Sequence, residues 1–255
     1  MINCYAKKIL EIIPKEYQLI IGEIVLIGVF FFVASPSTLF FHSTMGVMSL
    51  LIAYNILFLG TNYLRLSSQP FIFSISILSI VYILIDFIRI FLFWRNPFLL
   101  RNIIDLTIQL WLIARFAECA IFLIGFLAWF KRYRFLYLGL IYLGLVIFLF
   151  CSSFLWNIFP QSYQPGLGLT NFSLVSEYII SAFIYITLSI LLFWKKKISV
   201  SVLRPLIISL ILSIGAEVVF TMLRNQYGFM IEWRVTVKFL SLLFISQAVV
   251  QTIQN

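Results

Sequence analysis

The sequence predicts an all-α, polytopic transmembrane bundle of about eight helices, with both termini on the cytoplasmic side. Three observations carry this. First, 63% of the 255 residues are apolar and 11% are charged, where an ordinary soluble domain carries roughly 25% charged residues and uses them to cover its surface. Second, the apolar residues fall in long runs with few charges, each long enough to cross a hydrocarbon core of about 30 Å as a helix. Third, the alternating segments of about 10 residues that mark a membrane β-barrel are absent. A helix satisfies every backbone N–H and C=O within its own segment, so it is the element that lipid demands.

Residues 1–16 read as a short cytoplasmic segment. Lys7 and Lys8 are basic, but Glu11, Pro14, Lys15 and Glu16 interrupt any apolar region before Leu19, so no cleavable signal is expected. Residues 17–255 form a single transmembrane domain with spans expected at 17–35, 38–60, 71–94, 106–130, 135–156, 174–194, 202–223 and 233–252. Ser35-Pro36-Ser37-Thr38 makes the first turn, Ser67-Ser68-Gln69-Pro70 closes the second connection, and Lys131-Arg132-Tyr133-Arg134 makes a tight fourth one. The connection from Trp156 to Ser173 carries no charge and holds Pro160, Pro165, Gly166 and Gly168, which makes it a shaped turn region.

Orientation follows from Lys and Arg. With the N-terminus inside, inner segments hold eleven: Lys7, Lys8, Lys15, Arg65, Lys131, Arg132, Arg134, Lys195, Lys196, Lys197 and Arg204. The outer connections hold four, namely Arg95, Arg101, Arg224 and Arg234. That bias favours N-in, and eight spans return the C-terminus inside. The net charge of +9 is therefore a topology signal and not a nucleic-acid footprint. Cys4, Cys119 and Cys151 are scattered and suggest neither a disulfide framework nor a zinc site.

Nine acidic residues occur in the chain, and five of them lie within spans: Glu23, Asp86, Glu118, Glu177 and Glu217. Arg89, Arg115 and Lys238 join them. One charge at a bilayer centre costs about 2.5–3.5 kcal/mol on insertion scales, so these groups should face inward and find partners. Asp86 and Arg89 are three apart and should pair on one helix face, as should Arg115 and Glu118, with Trp111 on the same stripe. Glu177 lies near the start of its span, where the helix dipole favours a carboxylate. Glu217 follows Gly215-Ala216, small residues that permit close helix approach. These charges act either as struts that fix helix register or as the lining of a polar cavity. Because carboxylates outnumber cations, some acids are expected to lack a basic partner and to stay protonated or bind a ligand. His42, the only histidine, builds neither a metal site nor a bis-histidine haem site, so no metal and no cofactor is expected. Nucleotide-binding glycine motifs, a zinc-protease motif and a nucleophile elbow are all absent, and no catalytic residue is assigned.

Four stretches taken together resemble the third type of membrane-associated sensor domain, the MASE-type input module of bacterial histidine kinases and cyclic-di-GMP enzymes. They are Phe41-His42; Gln109-Leu110-Trp111-Leu112-Ile113-Ala114-Arg115-Phe116-Ala117-Glu118; Trp156-Asn157-Ile158-Phe159-Pro160 with Gly168-Leu169-Thr170 and Ser176-Glu177-Tyr178-Ile179-Ile180; and Ala216-Glu217 with Phe220, Tyr227-Gly228-Phe229 and Lys238. Gly46 stands where the family often has glutamate, and Arg89 and Val235 stand where it has histidine. The resemblance implies a sensory module of the bacterial inner membrane, not an enzyme. It would be a divergent member without an effector domain, whose output lies in a cytoplasmic effector, a partner membrane protein or a homodimer. It implies a buried ligand site for a small or lipophilic cue, lined by Gln109, Trp111, Arg115, Glu118, Glu177, Tyr178, Glu217 and Lys238, with His42 and Asn157 as further candidates. Arg115 would bind an acidic or carbonyl group or hold Glu118; Glu118, Glu177 and Glu217 would supply acceptors; Trp111 and Tyr178 would form walls. A small proton-coupled carrier and a purely structural membrane subunit are the alternative readings.

Overall fold

A computed structural model describes residues 38–63, 70–95, 100–130, 135–195, 198–222 and 229–254. The chain divides into two units, Met1–His42 and Ser43–Asn255; the account below concerns the second. Seven helices are described: α1 (Thr38–Tyr63), α2 (Pro70–Arg95), α3 (Leu100–Phe130), α4 (Phe135–Phe154), α5 (Asn171–Phe193), α6 (Val200–Met222) and α7 (Phe229–Gln254). Two short strands, β1 (Tyr163–Gln164) and β2 (Gly168–Leu169), pair antiparallel between α4 and α5. The helices match the second to eighth expected spans within a few residues. The expected first span at 17–35, with Glu23, lies outside the described residues.

Six of the described helices are long and apolar enough to cross a membrane, and α2 contributes a shorter apolar stretch, Pro70–Ile85. The protein is an all-α multi-pass membrane bundle. The fourth expected span differs most, since α3 begins at Leu100, six residues before the expected 106. Its first turns carry Arg101, Asn102 and Asp105, polar residues that an apolar-run criterion leaves out but a helix end near the headgroups accepts.

The centre of the bundle is α3. Some 78% of its apolar window is buried, against 22% for that of α4. Residues on every side of α3, including Leu110, Leu112, Ile113, Ala114 and Ala117, sit in the main apolar core. By contrast, α4 turns Tyr137, Leu140, Ile141, Leu145 and Phe148 outward, the apolar exterior that lipid solvates. The most extensive helix contacts are between α6 and α7 and between α2 and α3. Small residues set the closest approaches. A Cβ on Gly60 of α1 would lie 2.0 Å from the Cβ of Ser76 on α2, so only glycine permits that crossing. The α6–α7 seam carries a serine relay, with Ser241 Oγ 2.9 Å from Ser209 Oγ and 2.8 Å from Ser213 Oγ.

Candidate functional site

The site begins on one face of α3. Trp111, Arg115 and Glu118 are spaced four and then three residues apart, so their side chains stack along a single stripe. That stripe meets three other helices: α5 brings Glu177, α6 brings Glu217, and α7 brings Arg234 and Lys238, four residues apart and therefore on one face. All six charged side chains are buried.

Their contacts form a closed network. Arg115 pairs with Glu118 along α3 and with Glu217 across to α6, its Nε standing 3.1 Å from Oε1 without the alignment of a hydrogen bond. Lys238 donates to the other oxygen of Glu118. Arg234 uses one terminal nitrogen to reach Glu177 Oε1 at 2.8 Å and Glu217 Oε2 at 3.3 Å. Both arginines lie over the Trp111 ring, with guanidinium carbons 4.5 Å (Arg115) and 3.8 Å (Arg234) from its centroid. Each contact is a cation–π interaction strengthened by desolvation. Three cations meet three carboxylates, so the cluster is formally neutral.

For three of the five intramembrane acids this balance corrects the expectation that some lack a basic partner; Glu23 and the Asp86 side chain lie outside the described residues. Glu118, Glu177 and Glu217 each contact a cation. The missing partner is Arg234, which charge counting had assigned to an outer connection. Its spacing of one turn from Lys238 was the available signal, as was the surplus of carboxylates. Two carboxylate oxygens of the cluster, Glu177 Oε2 and Glu217 Oε1, have no hydrogen-bond partner among the described residues, although Glu217 Oε1 stays in ion-pair range of Arg115.

A second polar network sits further toward the N-terminal end of α3. Asp105 Oδ1 accepts the backbone N–H groups of Ser162 and Tyr163, each at 2.7 Å. Its Oδ2 accepts from Gln109 Nε2 at 2.9 Å, and Gln109 Oε1 accepts from Ser153 Oγ at 2.6 Å. Ser173 Oγ, one turn before Glu177, donates to the Ser162 carbonyl at 2.7 Å. Thr170 caps α5 by accepting from Ser173 N at 3.3 Å. The uncharged connection is thus an anchored hairpin whose turn uses positive φ at Gly166 (85°) and Gly168 (83°). Asp105, which span counting passed over, is its main tether.

Of the expected ligand-binding residues, the structure brings Trp111, Arg115, Glu118, Glu177, Glu217 and Lys238 into one cluster and places Gln109 in the hairpin network. Tyr178 does not join them. It is 62% exposed, because the residue next to a buried glutamate on a helix points about 100° away from it. Asn157 is exposed in the connection, in a left-handed conformation with φ of 53°. The side chains of His42, Asp86 and Arg89 lie outside the described residues, so the expected Asp86–Arg89 pair has no described geometry.

Beside the cluster, where α1, α2, α3 and α7 meet, lies a cavity of about 30 Å³ with Glu118 in its wall.

A family model for a membrane-associated sensor domain matches residues 33–254. No curated protein and no solved structure matches the chain.

Proposed function

The chain belongs to the membrane-associated sensor domains, and on that premise we propose that it is the sensing part of a bacterial signalling system, seated in the cytoplasmic membrane with both termini inside. Its buried charge cluster is the latch that a cue opens or closes. One observation carries this reading. Both cations of α7 grip carboxylates on other helices: Lys238 holds Glu118 of α3, and Arg234 holds Glu177 of α5 and Glu217 of α6. Three carboxylates on three helices therefore add to the α6–α7 packing in positioning α7. Shared carboxylates and a shared guanidinium nitrogen can exchange partners when the helices shift, so a small change in packing selects between two arrangements. α7 ends at the cytoplasmic face and hands the shift to an effector or partner chain.

The ligand set foreseen from sequence then acts chiefly as the latch. Trp111 gives both arginines an aromatic face in the buried site, and Glu177 Oε2 and Glu217 Oε1, the carboxylate oxygens of the cluster without a hydrogen bond among the described residues, are where a polar group would enter. The carrier reading drew on unpartnered carboxylates, and Glu118, Glu177 and Glu217 no longer supply them.

The test is cellular output. A Lys238→Met variant, inserted at the wild-type level, should change cyclic-di-GMP levels or the phosphoprotein pattern as deletion of the chain does, or fix them in the opposite state. An inserted, stable variant with wild-type output while the deletion strain differs would end the latch reading.

A further inference from the structure

The cavity beside the latch has a lining that selects its occupant. Its apolar walls come from α1 (Ala53, Ile56), α2 (Ile75), α3 (Ile121, Phe122) and α7 (Leu242, Ile245), with two polar residues, Ser79 and Glu118. Those two are already committed. Ser79 Oγ donates to the Ser76 carbonyl at 2.6 Å, and the two oxygens of Glu118 hold Arg115 and Lys238. A buried water needs about two to four polar partners, and this wall offers no free donor among the described residues. The site therefore favours an apolar occupant over water.

Size narrows the class. One water-sized body needs about 10–15 Å³, so the about 30 Å³ of this partly open cavity has room for a molecule of about two or three heavy atoms. We propose that this cavity binds a small apolar molecule of the dissolved-gas or light-hydrocarbon class, which reaches it through the bilayer. Such molecules concentrate in the hydrocarbon phase for the reason that drives apolar groups out of water, so a site within the bundle meets them at their highest concentration.

The placement couples the site to the latch. Glu118 is at once part of the cavity wall and the carboxylate that holds Lys238. Ile245 lies seven residues after Lys238 on α7, two turns along the same face. An occupant thus presses on the α3–α7 seam where the latch closes. This deepens the sensing reading and rests on it for its signalling role, while the binding itself stands on the cavity alone.

Xenon is the probe. Full-length protein with labelled isoleucine and leucine methyls, in nanodiscs, is titrated with xenon and followed by NMR. Saturable shifts are expected at Ile56, Ile75, Ile121, Leu242 and Ile245, all in the cavity wall. None are expected at Ile184 and Leu191, which are buried on α5 away from it. Ala53→Leu should abolish the saturable shifts. Ile245→Val, a milder change that enlarges the space, should increase them and decides the matter if Ala53→Leu does not fold. Shifts that rise linearly at outward-facing Ile141 and Leu145 as much as at the cavity methyls would overturn the proposal. So would saturable shifts that persist unchanged in both variants. Failure here with Lys238→Met still altering output removes the cavity and leaves the latch; saturable xenon with no effect of Lys238→Met does the reverse.

Discussion

Glu118→Gln should destabilise the bundle more than Lys238→Met, although the two residues form one pair. Glu118 holds two cations, but they are not equally dependent on it. Arg115 keeps Glu217 when Glu118 is neutralised, whereas Lys238 has no other ion-pair partner among the described residues. Glu118→Gln therefore leaves a buried ammonium facing an amide in a cluster with one excess positive charge. Breaking a buried pair from one side costs about 3–5 kcal/mol. Lys238→Met leaves Glu118 paired with Arg115 and removes one charge-assisted hydrogen bond, which costs about 1.5–3 kcal/mol. The double variant retains Arg115 and Arg234 against Glu177 and Glu217 and is neutral again. It should recover about 1–3 kcal/mol relative to the sum of the single changes, the range expected for directly coupled residues. The assay is equilibrium unfolding of the four proteins by steric trapping in bicelles. A Glu118→Gln cost at or below that of Lys238→Met, or strict additivity in the double variant, would refute the pairing argument.

Further predictions follow from the packing. Gly60→Ala places a methyl 2.0 Å from the Ser76 Cβ and should cost about 1–3 kcal/mol as α1 and α2 separate; thermal unfolding in detergent reads this. Gly125→Ala meets the edge of the Phe71 ring at 2.9 Å, a side chain that can give way, and should cost less in the same assay. Asp105→Ala frees two backbone N–H groups and should cost about 1–3 kcal/mol, with hydrogen exchange at Ser162 and Tyr163 rising while that of α3 is unchanged. Ser241→Ala removes both hydrogen bonds of the α6–α7 relay, yet should cost only about 0.6–2 kcal/mol, because interhelical hydrogen bonds in membranes are individually weak.

Much of this was legible in the sequence, for physical reasons. Lipid demands long apolar helices, so seven expected spans coincide with α1–α7. The stripe Trp111, Arg115, Glu118 was legible because helical periodicity fixes who shares a face. Arg234 was misread because a charge near a span edge suits both a loop and a buried face, and only the cross-helix partners Glu177 and Glu217 decide between them. Asp105 escaped notice because its role is to accept backbone N–H groups from a hairpin 57 and 58 residues away, which no local pattern encodes. Tyr178 was expected as a wall because it belongs to the same resembling stretch as Glu177, and adjacency on a helix separates side chains rather than joining them.

The central claim is that the charge cluster positions α7. Spin labels at Gln254→Cys on α7 and Ile141→Cys on the exposed face of α4, in a protein otherwise free of cysteine, report that position by electron–electron distance measurement in nanodiscs. Lys238→Met should shift or split the distance distribution relative to Lys238, since one of the two grips of α7 is released. A distribution identical to that of the parent, in a variant that remains inserted and folded, would contradict the claim.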